Sequence, residues 1–588
     1  MRRRGLACLL WLFATPIFAA SFEPNAAAIA TAHPLATQAG REVIDAGGNA
    51  FDAAVAVAAA LAVVEPYSSG IGGGGFLLLH RAVDNLDVVI DAREKAPLLA
   101  TKDMYLDAAG NAVPERSQNG ALAAAIPGTP AALVHLALFY GRLPLERSLA
   151  SAIKLARDGF EVSTTYHNMA GYRQKVMAAD AETARIFLDT GNVPAPGFKL
   201  RQGDLARSLE RLTTQGSAGF YGGELADKLV AGVKAGGGIW TAADLAQYKV
   251  IERKPIIGSF HDMQIVSAPP PSGGIVLLEA LNLLEPFDLA KLSTLDRRHV
   301  IIEAMRRAYR DRAEFLGDPD FAEVPVARLL DKAHSQEIGA DLKLDQATPS
   351  SALKPVAPPH QGDHTTHFSI LDAEGNRVAA TLSVNTPFGA CFTAPGTGVL
   401  LNNEMDDFSA RPLTPNAYGL IGVDANAVGP GKRPLSSMTP TFLITKNRIG
   451  ILGTPGGSRI ISMVLLGALE FYQGAPPEAW VKLPRYHHQY LPDEVLYEPA
   501  ALDDAAKHDL ERRGHKLSLS HRDYGNMQAI LWDTTTHQVS AASDPRGEGK
   551  ADVWNAKLPA LKALELPVPT DKPKTRSVGV PATPEAVN

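Results

Sequence analysis

Residues 50–64, Ala-Phe-Asp-Ala-Ala-Val-Ala-Val-Ala-Ala-Ala-Leu-Ala-Val-Val, leave the chain few ways to fold. Gly47-Gly48 closes a preceding helix read over Leu35–Ala46, and Asn49 is placed to cap the new one. The new helix is apolar on nearly every face, so both sides need cover. It is too short to span a bilayer, and it contains Asp52. A helix of this kind belongs inside a layered core.

Gly70-Ile71-Gly72-Gly73-Gly74-Gly75 follows. It contains G-x-G-x-x-G, but the order is helix, glycines, then the strand Phe76–His80. A dinucleotide site needs strand before glycines and helix after, so the run reads as a tight turn against other main chain. Val88–Glu94 is a second strand with Arg93 near its end. From Leu145 to about Leu330 the pattern is mostly helical, with a strand over Phe260–Ser267 and an amphipathic helix over Val300–Phe315. Strands dominate from Thr366: Arg377–Asn385, Thr441–Thr445, Ile449–Leu452, Gln528–Trp532 and Gln538–Ala542. An apolar helix over Ser458–Tyr472 lies among them. Sheets covered by helices are the implied architecture.

The N-terminus reads as an export signal: Arg2-Arg3-Arg4, an apolar run from Leu6 to Phe18, then Ala19-Ala20-Ser21. Its removal leaves Cys391 as the only cysteine, which excludes an intramolecular disulfide and a cysteine-based metal site. Cys391 reads as a buried filler. A formal charge of -6 gives no basic footprint for nucleic acid. The segment after about Pro567 is rich in Pro, Lys and Thr and reads as disordered.

Familiar hydrolase signatures do not occur. There is no G-x-S-x-G, H-E-x-x-H or Walker A motif. The S-x-x-K matches at Ser151–Lys154 and Ser351–Lys354 lack their partner motifs. His487-His488 sits where neighbouring side chains diverge, which suits hydrogen bonding better than joint metal ligation. Gly453-Thr454-Pro455-Gly456-Gly457-Ser458-Arg459 links a strand to a helix. The amides of Gly456 and Gly457 at that helix start suit an anion or a developing oxyanion. Leu401–Phe408 concentrates Glu404, Asp406 and Asp407, without calcium-loop spacing. Ser436 and Ser437 offer two hydroxyls on a loop. At Gln361-Gly362-Asp363-His364-Thr365-Thr366-His367-Phe368 a proline-rich connector meets a strand. If the chain is cut before Thr365, that residue gains a free α-amine beside its hydroxyl, a nucleophile with its own base.

Taken together, these motifs resemble the γ-glutamyltranspeptidase family of N-terminal-nucleophile hydrolases. The resemblance runs from about Leu35 to Arg546, and the tail beyond about Gly549 falls outside it. It rests on Gly48–Ala54, Gly72–Phe76, Thr365–His367, Asn402–Phe408, Pro434–Met438, Gly456–Arg459 and Pro484–His488.

The resemblance implies an α+β fold, a four-layer αββα sandwich, made as one precursor cleaved into two intertwined subunits. Residues 1–20 are then the signal, 21–364 the large subunit and 365–588 the small catalytic subunit. Cleavage falls between His364 and Thr365. Thr365 becomes the nucleophile, supported by the Ser383 hydroxyl, with Gly456 and Gly457 as the oxyanion hole. Arg93, Ser436 and Ser437 hold the substrate α-carboxylate, and Asn385, Glu404 and Asp407 its α-ammonium. A lid spans Pro412–Gly429, with Tyr418 at its centre.

Two positions depart from the common pattern. Ser383 stands where threonine is frequent, and Glu404 where some relatives carry Gln. The implied activity is γ-glutamyl transfer or hydrolysis on glutathione and related amides. Water, an amino acid or a dipeptide is the acceptor, with no cofactor and no metal, in the periplasm or secreted. The alternatives are a cephalosporin (glutaryl) acylase of the same fold and an unprocessed binding protein on the same scaffold.

Overall fold

The computed structural model describes residues 23–353, 365–411, 416–417, 419–422 and 424–556. The signal segment, His364, Tyr418 and the stretch after Pro567 lie outside these described residues.

Two antiparallel sheets stack face to face between helical layers. The first contains β1 (Ala27–Thr31), β2 (Gly74–Arg81), β3 (Leu86–Ala92), β4 (Ile251–Arg253), β7 (Thr366–Leu371), β8 (Arg377–Ser383) and β13 (Lys550–Trp554). Their order across the sheet is β13-β1-β7-β8-β2-β3-β4. The second contains β5 (Ile256–Phe260), β6 (Met263–Ser267), β9 (Thr441–Ile444), β10 (Arg448–Gly453), β11 (Gln528–Asp533) and β12 (Val539–Ser543). Its order is β12-β11-β10-β9-β6-β5.

Side-chain alternation divides the core. On β2, Leu77 and Leu79 pack toward the helices α1 (Pro34–Asp45), α2 (Ala50–Val64) and α3 (Leu145–Asp158). Phe76 and Leu78 face the second sheet. That sheet is covered by α4 (Gly274–Leu284) and α7 (Ile460–Tyr472), with α5 (Thr294–Phe315) and α6 (Lys332–Gly339) packed on α4. The result is the expected αββα sandwich. α2 is buried along its whole length and opens with a capping box between Asn49 and Asp52.

The glycine run behaves as anticipated: a Cβ on Gly73 would collide with the Ser383 carbonyl, and one on Gly72 with that of Leu400. No residue with a side chain fits this close passage.

One expectation needs correction and two need extension. Phe260–Ser267 is not one strand. His261, at φ 51°, turns the chain, so β5 and β6 form a hairpin. α5, expected as an amphipathic helix, buries its polar face as well: Arg306, Arg307, Asp311 and Arg312 are all buried. The chain beyond Gly549, expected to fall outside the resemblance, continues the fold, since β13 pairs with β1 at the edge of the first sheet. β1 was not foreseen either; its Ala27-Ala28-Ile29-Ala30-Thr31 carries little of the usual alternation of polar and apolar residues.

Candidate active site

Antiparallel pairing builds the site. Thr366 on β7 pairs with Leu382 on β8, so Thr365 lies opposite Ser383. Their hydroxyls are 3.5 Å apart. Ser383 Oγ also accepts the amide hydrogen of Asn385 at 2.7 Å, which fixes the hydroxyl at the strand end. Asn385, at φ 77°, turns the chain there, and its amide group donates to the Asn403 carbonyl at 2.9 Å.

The same alternation separates the two threonines. Phe368 and Ile370 point toward α2, and Thr366 shares their face. Its hydroxyl donates to Glu65 Oε2 at 2.9 Å, just past the end of α2. His367 and Ser369 face the other way, with Ser369 Oγ donating to the Gln528 carbonyl of the second sheet at 3.1 Å. Thr365 continues that inter-sheet face. It is 6% exposed and borders two cavities.

The smaller cavity, about 280 Å³, is lined by Arg93, Thr365, Ser383, Asn385, Glu404, Asp407, Ser436, Ser437 and Gly457. Residues from widely separated parts of the chain thus converge on one hollow, and only Gly456 among the described candidates lines the other cavity instead. Arg93, fully buried after β3, donates to Glu404 Oε2 at 2.6 Å and to Asp407 Oδ2 at 2.5 Å. The resemblance assigns these residues to two different groups on the substrate's α-carbon, yet they pair directly with one another in one ion-pair cluster. Glu94 joins it, 3.4 Å from Arg93.

Burial works against the Arg93 charge, but Glu404, Asp407 and Glu94 more than offset it and raise its pKa. Burial pushes Glu94 up to about 7 and Glu404 well above the usual carboxylate range, against the pull of Arg93. Glu404 Oε1 is buried and accepts no hydrogen bond from an N–H or hydroxyl donor, while the Glu404 and Asp407 carboxyls are close enough to share a proton. An unsatisfied buried acceptor of this kind is costly unless a ligand donates to it.

Frame residues hold the acidic turn. Asn402 donates to the carbonyls of Gly72 at 2.7 Å and Ala125 at 2.8 Å, and its Oδ1 accepts the Glu404 amide at 2.9 Å. The Asn402 side chain is therefore structural, and its place beside Glu404 follows from that. Around the expected lid, Asn416 donates to Asp407 Oδ1 at 2.9 Å and the Ala417 amide to Asp406 Oδ2 at 2.7 Å. Leu420 lines the cavity.

At the glycine turn, Gly456 has φ 141° and Gly457 φ 56°, followed by one 3-10 turn and then α7. A Cβ on Gly456 would press only on the flexible Met463 Cε, so the backbone angle rather than space selects glycine.

Sequence reasoning missed Arg312. Its guanidinium donates to Ser437 Oγ at 3.2 Å, and burial lowers its pKa to about 10. It sits on α5, which the sequence marked only as an amphipathic helix. Glu65 was also missed. Burial raises it to about 8, and Tyr67 hydroxyl, at 3.2 Å from Glu65, also reaches Glu548 at 2.9 Å. All three line the second cavity, about 1040 Å³, on the other side of Thr365.

Other candidates take structural roles. His487 Nδ1 meets Ser462 Oγ at 2.6 Å and His488 Nε2 meets Asp493 at 3.3 Å. Cys391 is buried as expected, with an unforeseen neighbour: Arg173 donates to its sulfur at 3.3 Å. No helix among the described residues is long and apolar enough to cross a membrane.

Comparison with known proteins agrees with this architecture. The family model for gamma-glutamyltranspeptidase matches residues 36–554. The glutathione hydrolase proenzyme of Pseudomonas sp. (strain A14) is 44% identical over 524 residues, 86% of this chain and 91% of that protein. A crystal structure of cephalosporin acylase from Bacillus halodurans superposes with TM-score 0.80 at 29% identity, covering 90% of this chain and 96% of that one. The Helicobacter pylori gamma-glutamyltranspeptidase structure gives 0.54 at 42% identity, covering 55% and 93%. The match reaches residue 554, so it takes in β13, beyond where the motifs had ended it. With the family model spanning nearly all of the described chain, this protein belongs to the γ-glutamyltranspeptidase family.

Proposed function

We propose that the protein is a γ-glutamyl transferase and hydrolase of glutathione and similar amides, exported to the periplasm and matured by its own Thr365. The observation that carries this reading is the cavity beside Thr365, where a buried guanidinium, two carboxylates and two serine hydroxyls meet. A γ-glutamyl group presents an α-carboxylate and an α-ammonium, and such a lining supplies partners for both.

In maturation, Thr365 Oγ attacks the carbonyl carbon of His364. The C–N bond breaks, the acyl group passes to oxygen, and the α-amine forms. Water then cleaves the ester, leaving a His364 carboxylate and a free Thr365 hydroxyl. In turnover, Oγ attacks the γ-carbonyl of the donor while the α-amine takes its proton. An α-amine with an ordinary pKa of ~7.7 is partly free base at neutral pH and largely so at mildly alkaline pH. The Gly456 and Gly457 amides stabilise the oxyanion. The leaving amine takes the proton, and water or an acceptor amine then releases the γ-glutamyl group from Thr365. Ser383 holds the Thr365 hydroxyl in line.

Substrate entry exchanges partners within the ion-pair cluster. The α-carboxylate takes Arg93 and the serines, and the α-ammonium takes Glu404 and Asp407, including Glu404 Oε1, which no N–H or hydroxyl serves. Arg312 adds a second positive charge behind Ser437. The larger cavity accommodates the leaving group and the acceptor.

The glutaryl acylase reading fits less well. A glutaryl group has no ammonium for Glu404 and Asp407, and desolvating unpaired carboxylates is costly. A paired assay tests this. Purified protein is expected to hydrolyse γ-glutamyl anilide far faster than glutaryl anilide. In Asp407→Asn the KM for the γ-glutamyl donor is expected to rise ~10–100-fold with kcat little changed, since a hydrogen bond to a charged group contributes about 1.5–3 kcal/mol. Equal rates on the two anilides would overturn the ammonium assignment.

A further inference from the structure

Behind the candidate active site, three helices bring together Glu279 of α4, Asp311 of α5 and His334 of α6. One ligand atom from each lies within 4.8 Å of the others, and all three residues are buried. Glu279 and Asp311 are 0% exposed. His334 Nε2 is 2.7 Å from Asp311 Oδ2 and 3.6 Å from Glu279 Oε1. Two ligands of one ion at zinc–oxygen and zinc–nitrogen lengths stand about 3.3 Å apart, so the cluster is near that spacing.

Glu279 is the unusual member. Neither of its buried carboxylate oxygens accepts a hydrogen bond from an N–H or hydroxyl donor; among the described residues its only hydrogen-bond partner is the Asp311 carboxyl, which requires a proton between the two. Burial and the neighbouring Asp311 carboxylate push its pKa well up. The cation that touches the cluster, Arg310, serves the far oxygen of Asp311, at 2.5 Å. Two buried carboxylates therefore share one direct guanidinium contact, and Arg310 and Arg328 act on Glu279 only through their charge, without touching it.

A second cluster makes the contrast. His299, Glu303 and His515 also lie close together. There His299 contacts His515 at 2.8 Å and the Lys343 carbonyl at 2.7 Å. Glu303 pairs with Arg306 at 3.1 Å and Arg307 at 2.5 Å. That network is satisfied and carries two guanidinium charges, so it has no need of an ion.

We propose that Glu279, Asp311 and His334 form a buried site for one divalent first-row cation, zinc or manganese, which clamps α4, α5 and α6 together. Neutral imidazole and two carboxylates suit such ions. The ion displaces the proton that Glu279 shares with Asp311, after which Glu279 can bind through one or both oxygens. The ion replaces the His334–Asp311 contact, while Arg310 orients Asp311 from outside the ligand set. The clamp lies one residue from Arg312, which contacts Ser437. It is also two residues from Tyr309, whose hydroxyl donates to the Ser458 carbonyl beside Gly457. It takes no part in the Thr365 chemistry and steadies the wall behind it.

The test needs no substrate, so its outcome is separate from that of the proposed activity. Tag-free mature protein is stripped with EDTA, dialysed against Zn²⁺ or Mn²⁺, gel-filtered and measured for metal content and Tm. Wild type is expected to retain about one ion per pair of large and small chains, and its Tm to rise by at least about 2 °C. Glu279→Gln, nearly isosteric, is expected to lose both effects. If that variant does not fold, His334→Gln and the metal content of wild type decide. Wild type holding no more of either ion than the variant, with an unchanged Tm, overturns the proposal. A proton shared between Glu279 and Asp311 would then balance the charge.

Discussion

Thr365 and Thr366 are chemically alike, and the sequence alone offers no physical ground for choosing between them. The fold separates them through strand alternation, because one faces the space between the sheets and the other faces α2. Thr366 donates its hydroxyl to Glu65, a carboxyl that burial raises to about 8. Its role in this account is structural. Thr366→Ala is therefore expected to be cleaved and active, with stability lowered by about 1–2 kcal/mol from the lost hydrogen bond, read as a lower urea midpoint. Loss of cleavage in correctly folded Thr366→Ala would mean that the two roles are reversed. Arg93, Glu404 and Asp407 were legible as charges near turns. Their mutual pairing was not, since residues 93 and 404 are joined only by tertiary structure.

At the scale of elements, local signals worked where one periodicity ruled. α2 was legible because an all-apolar helix with a capping residue has few other fates, and its capping box bears that out. α5 misled because charged residues usually mark a solvated face, whereas here they pair with one another and with the neighbouring chain. Arg312 was hidden by that same assumption.

The glycine turn between α2 and β2 was recognised, but the reason for it lies across the sheet. Gly73 crosses the Ser383 carbonyl and accepts the amides of Gly128 and Thr129 on its own carbonyl, at 2.8 and 2.9 Å. Gly73→Ala puts a methyl group into main chain that cannot swing aside. It is expected to yield little soluble protein, or protein with Tm lowered by several degrees and slowed cleavage. Wild-type Tm and cleavage in Gly73→Ala would show that β8 tolerates a shift at Ser383.

At the scale of the molecule, the sequence supported sheets under helices but not their order. β7 lies between β1 and β8, and β13 returns from the far end of the chain to close the edge beside β1. Pairings so distant in sequence leave no local trace. Their consequence is that segments on both sides of the 364–365 bond share one sheet and two cores. A cut there severs the chain without separating the layers. The two products should remain associated, and the new α-amine should appear beside Ser383 within a finished fold.

Intact-mass measurement of purified protein, under native and then denaturing conditions, tests this most directly. The account predicts one native species that denatures into two chains, the smaller beginning at Thr365, and a single full-length chain for Thr365→Ala. A wild-type chain that remains uncut yet cleaves γ-glutamyl anilide, or a smaller product beginning at Thr366, would contradict it.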